Sequence, residues 1–76
     1  VRGGVMSDKD CFLVEARVFN WFRLKNEIRE RNLETGVLTI KGFFHGREVL
    51  VEVKNGSAKV FVDDGILPRL EARLRQ

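Results

Sequence analysis

The side chains that could carry out catalysis in this sequence are few: one thiol, one imidazole and two adjacent carboxylates. They belong to Cys11, His45, Asp63 and Asp64. A nucleophilic cysteine requires a neighbouring positive charge that stabilises its thiolate, and only Lys9 lies close to Cys11 in the sequence. His45 is followed by glycine between two apolar runs, so we expect it at the exposed tip of a hairpin. Neither residue is predicted to be catalytic.

The two carboxylates lie in the run Asp63-Asp64-Gly65, between a strand pattern and a C-terminal helix pattern. Carboxylates at such a junction are typical of turns and helix caps. A Mg²⁺ site would need further oxygen ligands that the sequence does not place. No Cys/His cluster with metal-ligand spacing and no nucleotide-binding or metalloprotease motif is present. We therefore predict a non-enzymatic protein with no cofactor, metal or small-molecule substrate; a metal-dependent enzyme using Asp63, Asp64 and His45 is the minor alternative.

The composition describes a small and mildly basic chain. Its 76 residues, 43% hydrophobic and 33% charged, suffice for one small core. The net charge of +3 fits an anionic partner such as nucleic acid, but for so small an excess ordinary solubility is the stronger interpretation. The single cysteine excludes an intramolecular disulfide and favours a reducing compartment, so we expect a cytoplasmic protein.

Two predictions concern the ends of the domain and the membrane. Residues 1–10 carry no strand or helix pattern and are too short for a signal peptide, so we expect a flexible tail there. Residues 11–76 are predicted to form a single α+β domain. The longest apolar runs fall far below the roughly 18 residues that a membrane span needs, so no membrane partner is expected.

The clearest pattern lies between Val37 and Asp63, where His45-Gly46 and Asn55-Gly56 separate alternating apolar runs. Asn-Gly between such runs is typical of a two-residue hairpin, because a type I′ turn needs positive φ at both positions. Two-residue turns at both sites place one apolar set on a single face of the sheet. Its members are Leu38, Ile40, Val49, Val51, Val53, Ala58, Val60 and Val62. A shift of one residue would destroy this face, so we predict a three-stranded antiparallel meander.

The segments on either side of the meander are less uniform. Residues 11–19 alternate as a strand does. From Asn20 the period changes, since Trp21, Leu24 and Ile28 follow a helical spacing with Asn20 as the cap. We predict a helix over residues 20–33; the alternative continues the strand, which gives four strands before the last helix. Residues 66–76 are predicted to form a helix with Pro68 in its first turn.

The expected fold is therefore α+β, a two-layer sandwich with the element order β-α-β-β-β-α. An antiparallel sheet of three to four strands, built around the meander over residues 37–63, packs on one or two helices.

The second face of the meander combines large apolar groups with charges, which is unusual for a solvent-facing sheet and typical of an interface. The derived register places there Val37, Thr39, Lys41, Phe43, Leu50, Glu52, Lys59 and Phe61. The first strand, if it joins, adds either Leu13, Glu15, Arg17 and Phe19 or its other face. The predicted binding residues are Lys41, Phe43, Leu50, Lys59 and Phe61, with Arg17 and Arg47 at the rim.

Three hypotheses follow for this face. The most specific is a nucleic-acid-binding domain, DNA or RNA, in which phenylalanines stack on bases and lysines meet phosphates. The alternative is a homo-oligomeric or protein–protein interaction module that uses the same residues. In the third, a helix or the N-terminal segment covers the face within one chain.

Overall fold

The computed structural model describes residues 9–75, with side chains from residue 11 onward, as a five-stranded antiparallel sheet with a C-terminal helix. The strands are β1 (Lys9–Glu15), β2 (Lys25–Arg31), β3 (Leu38–Phe44), β4 (Arg47–Lys54) and β5 (Ser57–Asp63), and the helix is α1 (Leu67–Leu74). A 3₁₀ segment, Ala16–Asn20, follows β1. The strand order across the sheet is β1-β5-β4-β3-β2. Of the predicted N-terminal tail, residues 1–8 lie outside the described residues, and β1 begins at Lys9.

The predicted meander is confirmed in β3, β4 and β5. Leu38 opposes Val53 and Ile40 opposes Val51 across the first hairpin, and Val51 opposes Val60 across the second. His45 and Asn55 have φ of 51° and 53°, and the glycines that follow them have φ of 78° and 81°. Two residues with positive φ in succession are what a type I′ turn requires, so both turns have the expected geometry.

The predicted element order, by contrast, is wrong. The described chain runs β-β-β-β-β-α, with five strands in place of three to four, although it remains broadly α+β. Residues 20–33 form no helix: the chain leaves the 3₁₀ segment, and β2 then pairs antiparallel with β3. The alternative of one continued strand is also wrong, because the 3₁₀ segment separates β1 from β2.

The helix prediction failed because two of the three apolar residues on which it depended are exposed. Trp21 and Ile28 are 59% and 60% exposed, and only Leu24 of the three reaches the core. The residues that do pack inward are Phe19, Phe22 and Leu24, at spacings that no single helical face would bury together. A charged strand at the sheet edge, which β2 is, carries little hydrophobic periodicity of its own.

One face of the sheet, called the inner face below, carries the core. Its strand residues pack with Leu70 and Leu74 of α1 and with three residues of the segment between β1 and β2. We call residues 19–24 the covering segment. The buried cluster is Phe19, Phe22, Leu24, Ile40, Phe44, Val49, Val51, Ala58, Val60, Val62, Leu70 and Leu74. The predicted apolar face of the meander is therefore this inner face.

The covering segment is tied to β2 by an ion pair. Arg29 Nη2 donates hydrogen bonds to the carbonyl oxygens of Phe19, at 2.8 Å, and Phe22, at 3.3 Å. Glu27 pairs with Arg29 and accepts a 3.0 Å hydrogen bond from the Leu24 amide. Arg23 Nη1 donates to the same two carbonyl oxygens, at 3.3 and 3.1 Å. Together these bonds satisfy backbone groups of the covering segment and help to hold Phe19, Phe22 and Leu24 over the inner face.

Leu24 also depends on the absence of a side chain at Gly42. A Cβ built on Gly42 would lie 2.5 Å from Leu24 Cβ and 3.0 Å from the Lys25 carbonyl oxygen. The covering segment therefore lies closer to the backbone of β3 than it could if position 42 carried any residue other than glycine.

We expect Gly42→Ala to lower the free energy of unfolding by about 1–3 kcal/mol, because the added methyl group must displace Leu24. Urea denaturation followed by circular dichroism measures the change. Gly65→Ala is the control, since its Cβ would meet only the Asp63 side chain, at 3.3 Å. Equal stability of Gly42→Ala and the native chain would show that the close approach is not needed.

The Glu27 carboxylate predicts a pH dependence of stability. Its partial burial raises the pKa, but hydrogen bonds from Arg29 and the Leu24 amide and the charges of Arg29 and Arg23 outweigh this and lower the pKa below the usual value. Because the folded state has the lower pKa, the stabilising contribution is complete above the ordinary glutamate pKa of about 4.3. It is lost as the pH falls through the folded-state value.

Glu27→Gln should therefore lower the free energy of unfolding by about 1–3 kcal/mol at neutral pH. The difference from the native chain should shrink at pH about 3, where the native carboxylate is itself protonated. Urea denaturation at the two pH values measures both effects, with the exposed Glu34→Gln as control. A difference that stays the same at both pH values would contradict the assigned role.

Candidate functional site

The face opposite the core, called the outer face below, is defined by the alternation of the five strands. Its central row is formed by Cα partners across all of them: Ile28, Lys41, Leu50, Phe61 and Cys11. The next row is Glu30, Thr39, Glu52, Lys59 and Leu13. Phe43 lies opposite Lys25 and Glu48 at one end. The pairing of β1 with β5 thus widens the predicted face of the meander by a strand on one side, and β2 widens it on the other.

No described element covers the outer face, since α1 and the covering segment both pack on the inner one. Large apolar side chains are left in solvent there: Ile28 is 60% exposed, Leu13 58% and Phe43 41%. Leu50 and Phe61, near the centre, are half-buried by their neighbours. Leu50 and Phe61 lie between the exposed residues of β1 and those of β2, so the apolar groups extend across the sheet.

The structure brings together most of the predicted binding residues and separates two of them. Lys41, Phe43, Leu50, Lys59 and Phe61 all share the outer face. The two predicted rim arginines are engaged elsewhere. Arg17 lies in the 3₁₀ segment, where it pairs with Glu15, and Arg47 pairs with Asp63 at 3.1 Å.

Three further predictions for the first strand have mixed outcomes. Leu13 and Glu15 follow the outer-face alternation, since they oppose Lys59 and Ser57. Phe19 does not: it is 2% exposed and belongs to the core. Ile28 was missed altogether, because its segment was assigned to a helix. The alternation of residues 11–15 predicted that Leu13 and Glu15 share a face without choosing between the two faces, and no comparable signal marks Ile28.

Lysine and arginine are segregated in the described part of the chain. The four lysines from residue 11 to 75 all follow the outer-face alternation: Lys25, Lys41, Lys54 and Lys59. The glutamates that share this face are Glu15, Glu30, Glu48 and Glu52. Charges of the two signs therefore balance on the outer face. The basic excess of the chain lies with the arginines, in the 3₁₀ and covering segments, in β2, at the start of β4 and on α1.

The structure places the thiol, the imidazole and one of the two carboxylates in three different parts of the sheet. Cys11 is exposed on the outer face. The His45 ring packs edge-on against Phe44, with ring centroids 4.4 Å apart, in the turn predicted for it. Asp63 Oδ1 accepts a 2.9 Å hydrogen bond from the Gly65 amide, so it serves the predicted turn, while no side chain caps α1. Among residues 9–75, no three His, Cys, Asp or Glu side chains are placed to hold a metal ion.

Comparison with protein-family models, with curated proteins and with solved structures found no match for this chain. In residues 9–75, no helix has the length and apolar character that crossing a membrane would require.

Proposed function

We propose that this protein is a non-enzymatic binding module that associates with a second copy of itself through the outer face. The observation that carries the proposal is a whole sheet face on which Leu13, Ile28 and Phe43 remain in solvent. Burying such groups against another apolar surface gains about 25 cal/mol for each Å² removed from water. Small domains commonly complete a marginal core in this way.

The size of the face suits such a contact. Five strands about 4.8 Å apart and about seven residues long at 3.4 Å per residue span roughly 24 by 24 Å. This is a projected area of about 600 Å², and protruding side chains make the accessible area larger. A standard interface buries roughly 800 Å² on each partner. The outer face can therefore supply one complete interface, with two sheets stacked about 10 Å apart.

The charges of the face also favour a copy of the same chain as the partner. In a two-fold contact the same surface lies on both sides, so it must be complementary to itself. The four lysines and four glutamates of the outer face allow each sign to meet the other, whereas a face of one sign would repel its copy. The lysine stems add further apolar area to the face.

The charge balance lends less support to nucleic acid at this face. Phosphate binding depends on a local excess of cations, and the glutamates of the outer face offset its lysines. Phe43 and Phe61 beside Lys41 and Lys59 still offer stacking and charge together, so nucleic-acid binding there remains the second candidate. Phe61→Ala should weaken such binding without changing the mass of the protein, while under self-association it should lower the mass.

Ile28→Glu tests the self-association directly. The native chain should show a mass that rises from 8.8 kDa towards twice that value as the concentration increases. The added carboxylate should raise the dissociation constant of the dimer by about tenfold or more, because it would be desolvated in the contact. Sedimentation equilibrium over a concentration series measures both, and added salt should change the native result little.

Leu33→Glu is the matched control. Leu33 is 89% exposed, more than Ile28, but it lies in the turn between β2 and β3 and not on the outer face. The control should associate as the native chain does. A native mass of one chain at all concentrations would overturn the proposal. If a shortened chain that starts at Lys9 then associates, the N-terminal residues cover the outer face in the full chain. That result would overturn the proposal as well.

A further inference from the structure

A second surface lies at the open end of the sandwich, where β1, the 3₁₀ segment and the C-terminal end of α1 meet. They enclose an open groove of about 770 Å³. Its apolar side is formed by Leu13, Val14, Val18, Trp21 and Leu74. Arg17 and Arg75 stand on its polar side with Glu15 and Ser57. We call it the tryptophan groove. The groove shares Leu13 and Glu15 with the edge of the outer face, but Trp21, Arg17 and Arg75 play no part in the self-association proposed above.

Trp21 is the only tryptophan of the chain, and it is 59% exposed. It is nevertheless held in place, because its ring meets Phe22 edge-on, with centroids 6.0 Å apart and planes at 82°. Phe22 is in turn fixed in the core by the Arg29 bond to its carbonyl oxygen. A large aromatic group that is both positioned and accessible is a suitable platform for stacking a planar ligand.

The two arginines keep hydrogen-bond donors available. Arg17 uses only Nε for its bond to Glu15, which leaves both Nη atoms for another acceptor. Arg75 uses Nε and Nη2 for Glu71, at 3.1 and 3.0 Å, which leaves Nη1. Their side chains are 80% and 58% exposed, and exposed ion pairs of this kind contribute little free energy, about 0–1 kcal/mol. A phosphate can therefore bind the guanidinium groups at low cost.

We infer that the tryptophan groove binds single-stranded nucleic acid, with a base stacked on Trp21 and phosphates at Arg17 and Arg75. Stacking on an aromatic ring beside guanidinium groups is how such strands are held without reading their sequence. The segregation of charge supports this location, because the arginines lie away from the balanced outer face.

The single tryptophan makes the binding observable without a label. Titration with an oligothymidylate of about ten nucleotides, a length within the usual site sizes, should quench the Trp21 fluorescence to saturation. The affinity should fall as salt rises from about 50 to 200 mM, with a log–log slope of about −0.7 for each phosphate contact. Trp21→Ala, followed by anisotropy of a labelled strand, should weaken binding by about tenfold.

A pair of double variants with the same change in net charge locates the site. Arg17→Ala/Arg75→Ala should make the salt slope less steep by about 1.4, the contribution of two phosphate contacts, and should weaken binding. Lys41→Ala/Lys59→Ala removes two cations from the outer face and should leave the affinity nearly unchanged. Urea denaturation of both double variants establishes that each remains folded.

Four results would overturn the inference. No binding at the lowest salt would exclude this ligand. A larger loss in the lysine variant than in the arginine variant would place the strand on the outer face. Equal losses in both would show attraction by net charge alone, without a groove. Binding of an acidic peptide with higher affinity than the oligonucleotide would likewise assign the groove to a different class of ligand.

Discussion

Arg29 and Arg23 hold the carbonyl groups of Phe19 and Phe22, and these bonds keep the covering segment over the apolar face of the sheet. The helix α1 has only eight residues and contributes Leu70 and Leu74 to the core, which is too little to cover five strands. The covering segment supplies the rest. Its guanidinium anchor is only partly exposed, so it needs the Glu27 carboxylate beside it, since a desolvated charge without a partner would be costly. Gly42 leaves the room for Leu24 to lie against β3. The ion pair, Gly42 and the two phenylalanines thus act together with α1 to cover the inner face, and they leave the outer face uncovered.

The covering segment and α1 leave two surfaces accessible for function, the outer face and the tryptophan groove. All described cover lies on one side, so the outer face keeps its leucine, isoleucine and phenylalanine side chains in solvent. The same segment that closes the core carries Trp21 outward at its margin. The charges differ between the two surfaces: lysines and glutamates balance on the outer face, and arginines lie around the covering segment and α1. A protein with two chemically different surfaces of this kind is suited to binding two different partners, and the proposals above assign a second copy to one and a nucleic-acid strand to the other.

The sequence predicted the parts of the fold that local chemistry determines. His45-Gly46 and Asn55-Gly56 fix the two tight turns, the turns fix the register, and the register places five of the seven predicted binding residues on one face. The first two strands were harder, because what determines them is not local. Trp21, Leu24 and Ile28 have helical spacing, yet the hydrogen bond that defines the segment joins Arg29 to a carbonyl ten residues away. Arg17 and Arg47 were assigned to the rim from their position along the strands, and their carboxylate partners, Glu15 and Asp63, were not anticipated.

Cys11 is a natural probe of whether the outer face is buried against a second copy. It is the only cysteine of the chain, it is exposed, and it shares the central row of the outer face with Phe61. The rate of thiol labelling by a large excess of reagent should be measured over a series of protein concentrations. If the face is covered on association, the rate falls as the protein concentration rises, and it recovers on dilution. A labelling rate that stays constant from the lowest to the highest concentration would contradict the account.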